Sequence, residues 1–300
     1  MSKMLKFVDL KRETPEKIGL GERTENFLEI YKEFIDNKAK EQASRCSQCG
    51  TPFCQVHCPL QNNIPDWLKL TAEGRLKDAY EISSATNSMP EVCGSICPQD
   101  RLCEGNCVIE QSGYGAVTIG AVEKFITNTA WENGWIEPIK PMTELKQSVG
   151  IIGAGPAGIQ FSLGASKRGH RVILLEKEKQ LGGQIALAEK LSFKEPFRRL
   201  LKYYSGALNR ADVDVRLGTR LDEQSMNLLD HVDIIIFAMG STISVPQAFQ
   251  RPSRPTLSVF EALSQPGTLG TKVVIIGANL VGAETAWHLA KIGHDVTLVE

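Results

Sequence analysis

The sequence predicts an α/β protein that begins with an all-α domain, and three observations carry that prediction. All eight cysteines lie between Cys46 and Cys107, where apolar residues recur at helical spacing and little alternates like a strand. Downstream, strand, glycine-rich turn, helix and strand follow one another twice, at 148–176 and again at 272–300. Neither glycine-rich stretch contains a cysteine, so the chain divides into a cysteine module and a glycine-turn module.

Bulk properties narrow the function classes. A chain of 300 residues, 42% hydrophobic and 23% charged, has room for two or three buried cores. Its net charge of −1 offers no basic stripe for nucleic acid. No run approaches the roughly 18 apolar residues of a membrane span. Neither nucleic acid nor membrane is therefore an expected partner. The start, Met1 to Lys6, leads into alternating charges without an apolar segment and small-residue cleavage site, so no secretory signal is expected and the cytoplasm is the expected location. A reducing compartment disfavours disulfides and turns attention to metal or redox roles for the thiols.

Taken in order, a helix is expected from Thr24 over Phe27, Tyr31, Phe34 and Ile35, with shorter helices at Asp66–Ala72, Arg75–Ser83 and Ile119–Ala130. Such interrupted apolar runs call for something besides a core to organise the loops. The first cysteine group is Cys46-x2-Cys49-x4-Cys54-x3-Cys58-Pro59, and the second is Cys93-x3-Cys97-Pro98-x4-Cys103-x3-Cys107. The first has a longer middle gap than the ferredoxin pattern C-x2-C-x2-C-x3-C-P. Soft thiolates this dense suit iron–sulfur clusters, whose several irons spread the ligands around a cube. Zinc is the competing reading, but zinc ribbons pair two C-x2-C knuckles and only Cys46/Cys49 forms one. His57, between Cys54 and Cys58, is read as a loop residue. In two-cluster ferredoxins the cysteine before proline serves the other cluster, and the same logic sends Cys58 to a second site.

Residues Cys46–Cys58, the stretch Asn87–Cys107 and Gly115–Gly120 resemble the small (beta) subunit of NAD(P)H-dependent glutamate synthase, and more distantly the N-terminal module of dihydropyrimidine dehydrogenase. The resemblance implies two interleaved 4Fe–4S clusters, one on Cys46, Cys49, Cys54 and Cys107, the other on Cys58, Cys97, Cys103 and one further ligand. Cys93 and Glu123 compete for that last place. Glu123 enters because the related dehydrogenase uses an oxygen-bearing side chain at the matching distance after its last cysteine; otherwise it is a solvated helix glutamate.

Beyond Pro138 and Pro141 the pattern changes. The strand Ser148–Ile152 runs into Gly153-Ala154-Gly155-Pro156-Ala157-Gly158, then a helix to about Gly169, then the strand Arg171–Leu175 closed by Glu176. This is G-x-G-x-x-G in its required setting: a tight turn, close backbone approach to a pyrophosphate, helix-on-strand packing, and a helix N-terminus facing the phosphates. Glu176, 23 residues after Gly153, stands where an acid accepts from a ribose hydroxyl. Leu181-Gly182-Gly183-Gln184 resembles the continuation found in flavoproteins and points to FAD. The later segment Asp233–Gly240 is similar to a D-x-V-V-x-A-T-G element beside the flavin, with Ala238 and Gly240 in place and Met239 for the usual threonine. Without that resemblance it reads as a strand ending in a turn.

The second unit, Lys272–Ile276, then Gly277-Ala-Asn279-Leu-Val-Gly282, a helix to about Lys291 and Asp295–Val299 with Glu300, repeats the design with Asn279 where the second glycine belongs. Two such units mark a Rossmann-like FAD/NAD(P) two-dinucleotide flavoprotein. Glu300 would accept from a ribose 2′-hydroxyl and repel a 2′-phosphate by about 4 kcal/mol per unit charge at short range. That favours NADH locally, whereas the resemblance includes NADPH-dependent enzymes. Residues 183–300, notably Phe193–Leu208 and Val213–Thr219, are closer to the reductase module of 2,4-dienoyl-CoA reductase and trimethylamine dehydrogenase.

The expected domains are 1–145 with the clusters, 146–250 for FAD, and 251–300 as the start of a nicotinamide domain. The sequence stops before that domain is complete, so a truncated chain with an open sheet edge is expected. The resemblance implies electron flow from NADPH or NADH through FAD and the clusters to a glutamate synthase large subunit or equivalent acceptor. Competing readings are the electron-input module of a dihydropyrimidine dehydrogenase-like or dienoyl-CoA reductase-like enzyme, a non-catalytic cluster-bearing docking module, and a zinc scaffold.

Overall fold

The computed structural model describes residues 4–25, 28–136, 141, 143–249 and 256–300. The chain forms two compact units, Met1–Glu137 and Pro138–Glu300. Phe27 and Pro138 lie outside the described residues, as does the expected FAD–nicotinamide boundary at 250/251.

The first unit is helical. Its helices include Asp36–Ser44, Ile64–Glu73, Leu76–Thr86, Pro90–Ile96 and Ile119–Glu132. The 64–73 helix begins with Pro65 in its first turn and ends on Gly74 at φ 81°, a conformation that releases the chain at low cost for glycine alone. Its face Ile64, Trp67, Leu68 and Thr71 is buried, and the Trp67 indole N–H donates to Asn62 Oδ1 at 2.9 Å. Asn62 in turn donates to the Ser83 carbonyl at 2.7 Å, so the buried polar groups joining the 64–73 and 76–86 helices are satisfied. A Cβ at Gly94 would lie 2.8 Å from the Lys124 backbone nitrogen. Glycine thus lets the 90–96 and 119–132 helices approach backbone to backbone, which sets Cys93 and Cys97 beside the helix that carries Glu123.

The helix expected from Thr24 onward is not formed. The Leu20–Glu25 helix stops early, Tyr31 makes an isolated antiparallel bridge with Lys17, and Phe34 is buried while Ile35 is exposed. Ile18 N–H donates to the Ile30 carbonyl at 2.9 Å and Lys32 N–H to the Glu16 carbonyl at 2.8 Å. Pairing with the preceding segment takes the backbone groups that a helix would have used.

In the second unit, β1 (Ser148–Ile152), β2 (Arg171–Leu175), β3 (Asp214–Arg216) and β4 (Ile234–Phe237) form a parallel sheet in the order β3-β2-β1-β4. Central β1 is buried along its whole length, as an apolar strand covered on both faces should be. The Pro156–Lys167 helix connects β1 to β2. Asp233 anchors the start of β1: its Oδ2 accepts from Ser148 N–H at 2.7 Å and from the Ser148 hydroxyl at 2.9 Å. β5 (Lys272–Ile276) and β6 (Asp295–Val299) pair in parallel as a separate two-stranded sheet, joined by the Leu280–Lys291 helix. Because the strands are parallel, the C-terminal ends of β1, β2 and β4 lie at one edge, where nucleotide ligands of such sheets bind.

Candidate cofactor-binding sites

The first cysteine site is built from both sequence groups. Cys46, Cys49, Cys54 and Cys107 line one cavity with Leu68, Ile109, Val117 and Ile119. Cys46 follows the 36–44 helix, Cys54 lies in the Phe53–Val56 turn of helix, and Cys107 precedes Val108–Gln111. Gln48 sits at φ 52°, in the left-handed region. There its backbone N–H and side-chain Nε2 reach Cys46 Sγ at 3.4 and 3.3 Å, while Ser47 Oγ and Cys49 Sγ are hydrogen-bonded at 2.9 Å. Hydrogen bonds to sulfur of this kind tune cluster potentials. His57 holds the Phe53 carbonyl at 2.9 Å through Nδ1 and is exposed, a loop residue.

All eight cysteines are free. Burial raises the Cys46 thiol, and burial together with neighbouring Cys46 and Cys107 pushes Cys54 up to about 12. Several thiols in an apolar pocket hold their protons until a cationic group replaces them, which is the chemistry of a metal site that fills with release of protons. Among the described residues no three His, Cys, Asp or Glu side chains converge as ligands of a single ion. The thiols surround a space; they do not meet at a point.

In the second site Cys97 and Cys103 each lie near Cys58 and Glu123, and Cys93 lies beside Cys97. Burial raises Cys97 and Cys103, and takes Cys93 to about 12. Glu123 is 9% exposed, so the solvated-helix reading does not hold; burial lifts its carboxyl to about 7 against the opposing hydrogen bond from Asn87. The residues that sequence reasoning missed here are Asn87, which donates to Glu123 at 3.0 Å, and Arg45, a fully buried guanidinium directly before Cys46. Neither belongs to a motif that spacing could reveal.

At the edge of the four-stranded sheet, Gly153 N–H donates to the Leu175 carbonyl and Ala238 N–H to the Ile152 carbonyl, both at 2.8 Å, which draws the three strand ends together. Gly155 is the N-cap of the 156–167 helix, Pro156 opens it, and Ala157 is exposed in its first turn. A Cβ on Gly155 would meet nothing within 4 Å, so the space over this helix N-terminus is open to a phosphate. Glu176, 6% exposed, accepts from Ala154 N–H at 2.7 Å and Glu178 N–H at 2.9 Å, and its carboxylate keeps lone pairs for a ribose. Gly182 N–H donates to the Ala154 carbonyl at 2.8 Å, Gly183 packs on the Gly155 backbone, and Gln184 begins the short Gln184–Ala188 helix. Gly240 follows Ala238 at φ 70°, with Met239 exposed between them.

The second turn repeats this geometry with one change. Glu300 accepts from Ala278 N–H as Glu176 does from Ala154, and Gly277 N–H donates to the Val299 carbonyl at 2.7 Å. Asn279 is the N-cap of the 280–291 helix, and its own Oδ1 accepts from Gly282 N–H at 3.1 Å. The side chain therefore occupies a helix-start donor that the first turn leaves to its ligand.

Thiol-lined sites for clusters ahead of two pyrophosphate turns define an iron–sulfur flavoprotein of the nicotinamide-dependent oxidoreductase class. The chain belongs to the pyridine nucleotide-disulphide oxidoreductase family, whose pattern matches residues 147–300. Residues 23–135 match dihydropyrimidine dehydrogenase domain II with its 4Fe–4S cluster. The chain carries the protein side of sites for iron–sulfur clusters, FAD and NAD(P)H. It is similar to the glutamate synthase (NADPH) small chain of Azospirillum brasilense, 59% identical over 181 residues that cover 60% of this chain and 38% of that one. The Escherichia coli (strain K12) small chain is 39% identical over 240 residues, covering 78% and 50%. That of Mycobacterium tuberculosis (strain H37Rv) is 32% identical over 298 residues, covering 91% and 59%. The chain thus spans about half the length of these curated relatives. Among the described residues no helix is long and apolar enough to cross a membrane.

Proposed function

We propose that this chain is the electron-transfer part of an NAD(P)H-dependent glutamate synthase small subunit, in which electrons pass from the nicotinamide nucleotide through FAD and two 4Fe–4S clusters to a large partner subunit in the cytoplasm. The observation that carries the reading is the cavity that collects Cys46, Cys49 and Cys54 from one sequence group and Cys107 from the other. Interleaving of distant groups is the arrangement that two-cluster ferredoxins use, and a pair of independent zinc knuckles does not need it.

When bound, FAD converts a two-electron hydride into single electrons, and the clusters accept those one at a time. The protein's part is to bind, orient and tune. Gly153, Gly155 and Gly158 leave the first turn open to a pyrophosphate, and Glu176 takes the ribose. Ala154, Pro156 and Ala157 shape that turn, while Gly182, Gly183, Gln184, Ala238 and Gly240 frame the flavin side. Gly277, Asn279, Gly282 and Glu300 hold the nicotinamide nucleotide. Cys58, Cys97 and Cys103 carry the second cluster with a fourth donor from Cys93 or Glu123. No side chain is required to act as acid or base in hydride transfer.

The test is anaerobic reduction of the FAD-loaded protein with NADH and with NADPH, followed by flavin absorbance and cluster electron paramagnetic resonance. Flavin bleaching followed by reduced-cluster signals is expected. Clusters that dithionite reduces but neither nucleotide does would leave a docking module. The ratio of the two rates also reports how strongly the Glu300 carboxylate discriminates against a 2′-phosphate.

A further inference from the structure

The second cysteine site has one donor too many. Cys58, Cys97 and Cys103 supply three sulfurs, and both Cys93 and Glu123 stand beside them. A single side chain touches both competitors. Asn87, at the C-terminal end of the 76–86 helix, is 2% exposed. Its Nδ2 donates to Glu123 Oε1 at 3.0 Å, and its Oδ1 accepts from Cys93 Sγ at 3.6 Å.

A carboxamide has one donor end and one acceptor end, so its orientation decides what it can satisfy. Here the orientation is fixed from outside. Oδ1 also accepts from the backbone N–H of Met89 at 2.9 Å, and a flipped amide would set its NH2 against that N–H. The donor end is thereby committed to Glu123 and the acceptor end to Cys93. An N–H donor to Oε1 fixes the Glu123 rotamer while the other oxygen stays available to a metal. On the other side Oδ1, already engaged by Met89 N–H, turns its partial negative charge toward Cys93 Sγ at 3.6 Å.

We propose that Asn87 is a positioning residue of the second cluster, which presents Glu123 as the fourth donor and holds Cys93 out of coordination. This rests on the two-cluster reading above. Asn87 acts through Glu123 and does not itself contact the cluster.

Two variants test it on anaerobically prepared protein, by iron and sulfide content, electron paramagnetic resonance of the reduced clusters, and redox titration. Asn87→Asp keeps the size and the acceptor for Met89 but turns an acceptor toward Glu123. One cluster signal is expected to stay as in wild type, while the other changes its g-values and shifts its midpoint, or disappears alone. Cys93→Ala is expected to retain about eight irons and both signals. Unchanged spectra and midpoints in Asn87→Asp, or loss of about four irons in Cys93→Ala, would overturn the proposal. If Asn87→Asp does not fold, Asn87→Ser, which removes the donor to Glu123 Oε1, takes its place with the same expected and overturning results. A wild-type protein without clusters would remove the two-cluster reading instead, so the two failures are distinguishable.

Discussion

Replacement of Arg45 by methionine is expected to destabilise the N-terminal unit by about 3 kcal/mol or more and to empty the first cysteine site. Arg45 is fully buried, and its guanidinium is spent entirely on backbone: Nε donates to Leu10 O at 2.9 Å, Nη1 to Ala116 O at 2.6 Å, and Nη2 to Tyr114 O and Gly115 O at 2.7 and 2.9 Å. Burial lowers its pKa, which shows how little solvent supports the charge. Methionine matches much of the volume but leaves these carbonyls without donors, each at a cost of about 1–3 kcal/mol where water cannot replace it. The consequence is local to the site because Arg45 precedes Cys46, while 114–116 follows the Val108–Gln111 helix that starts after Cys107. One side chain ties together the two segments that must meet around the cavity. Lysine carries the charge without the planar fork, so Arg45→Lys should recover only part of the loss. Urea unfolding followed by far-ultraviolet circular dichroism, with iron per chain measured alongside, checks both effects. A methionine variant with wild-type midpoint and iron would contradict them.

Gly158→Ala is expected to abolish FAD retention and lower the stability of the second unit by about 3 kcal/mol, while Gly164→Ala in the same helix does neither. A Cβ at residue 158 would lie 1.8 Å from the Gly153 carbonyl oxygen, so the turn or the helix must move and the phosphate site moves with it. At residue 164 the nearest atom is Arg168 Nη1 at 3.5 Å, ordinary contact, and alanine there gains about 0.5–1 kcal/mol of helix propensity over glycine. The opposite signs separate a packing requirement from a general effect of glycine replacement. Flavin per chain and thermal melting of both variants provide the comparison. Equal flavin retention would remove the close-approach role from Gly158.

Much of this fold was legible because its signals are local. β1, β2, β5 and β6 fall where short apolar runs, turn glycines and the closing acids placed them, since each strand–turn–helix unit encodes itself within some thirty residues. The 64–73, 76–86 and 119–132 helices also read from their periodicity. Periodicity failed at 24–35, where Tyr31 is held by Lys17 and backbone pairing with an earlier segment overrides the helical pattern. At the sites, residue types were legible from spacing, whereas the grouping of Cys107 with Cys46, Cys49 and Cys54 came only from the family resemblance. Spacing alone shows two cysteine groups, but the meeting of Cys107 with Cys46, Cys49 and Cys54 depends on helix packing across some fifty residues of chain. Arg45 and Asn87 are silent for the same reason: their partners are Leu10, the 114–116 backbone and Glu123, all distant in sequence. Asn279 was visible as a departure from the glycine pattern, yet its use as a helix cap needed the geometry.

The most direct measurement is iron and acid-labile sulfide per chain on anaerobically purified protein. About eight of each is the predicted result, and it would place a four-iron cluster on each of the two cysteine sites. Zinc without sulfide would contradict the electron-transfer function and reduce the cysteine domain to a scaffold.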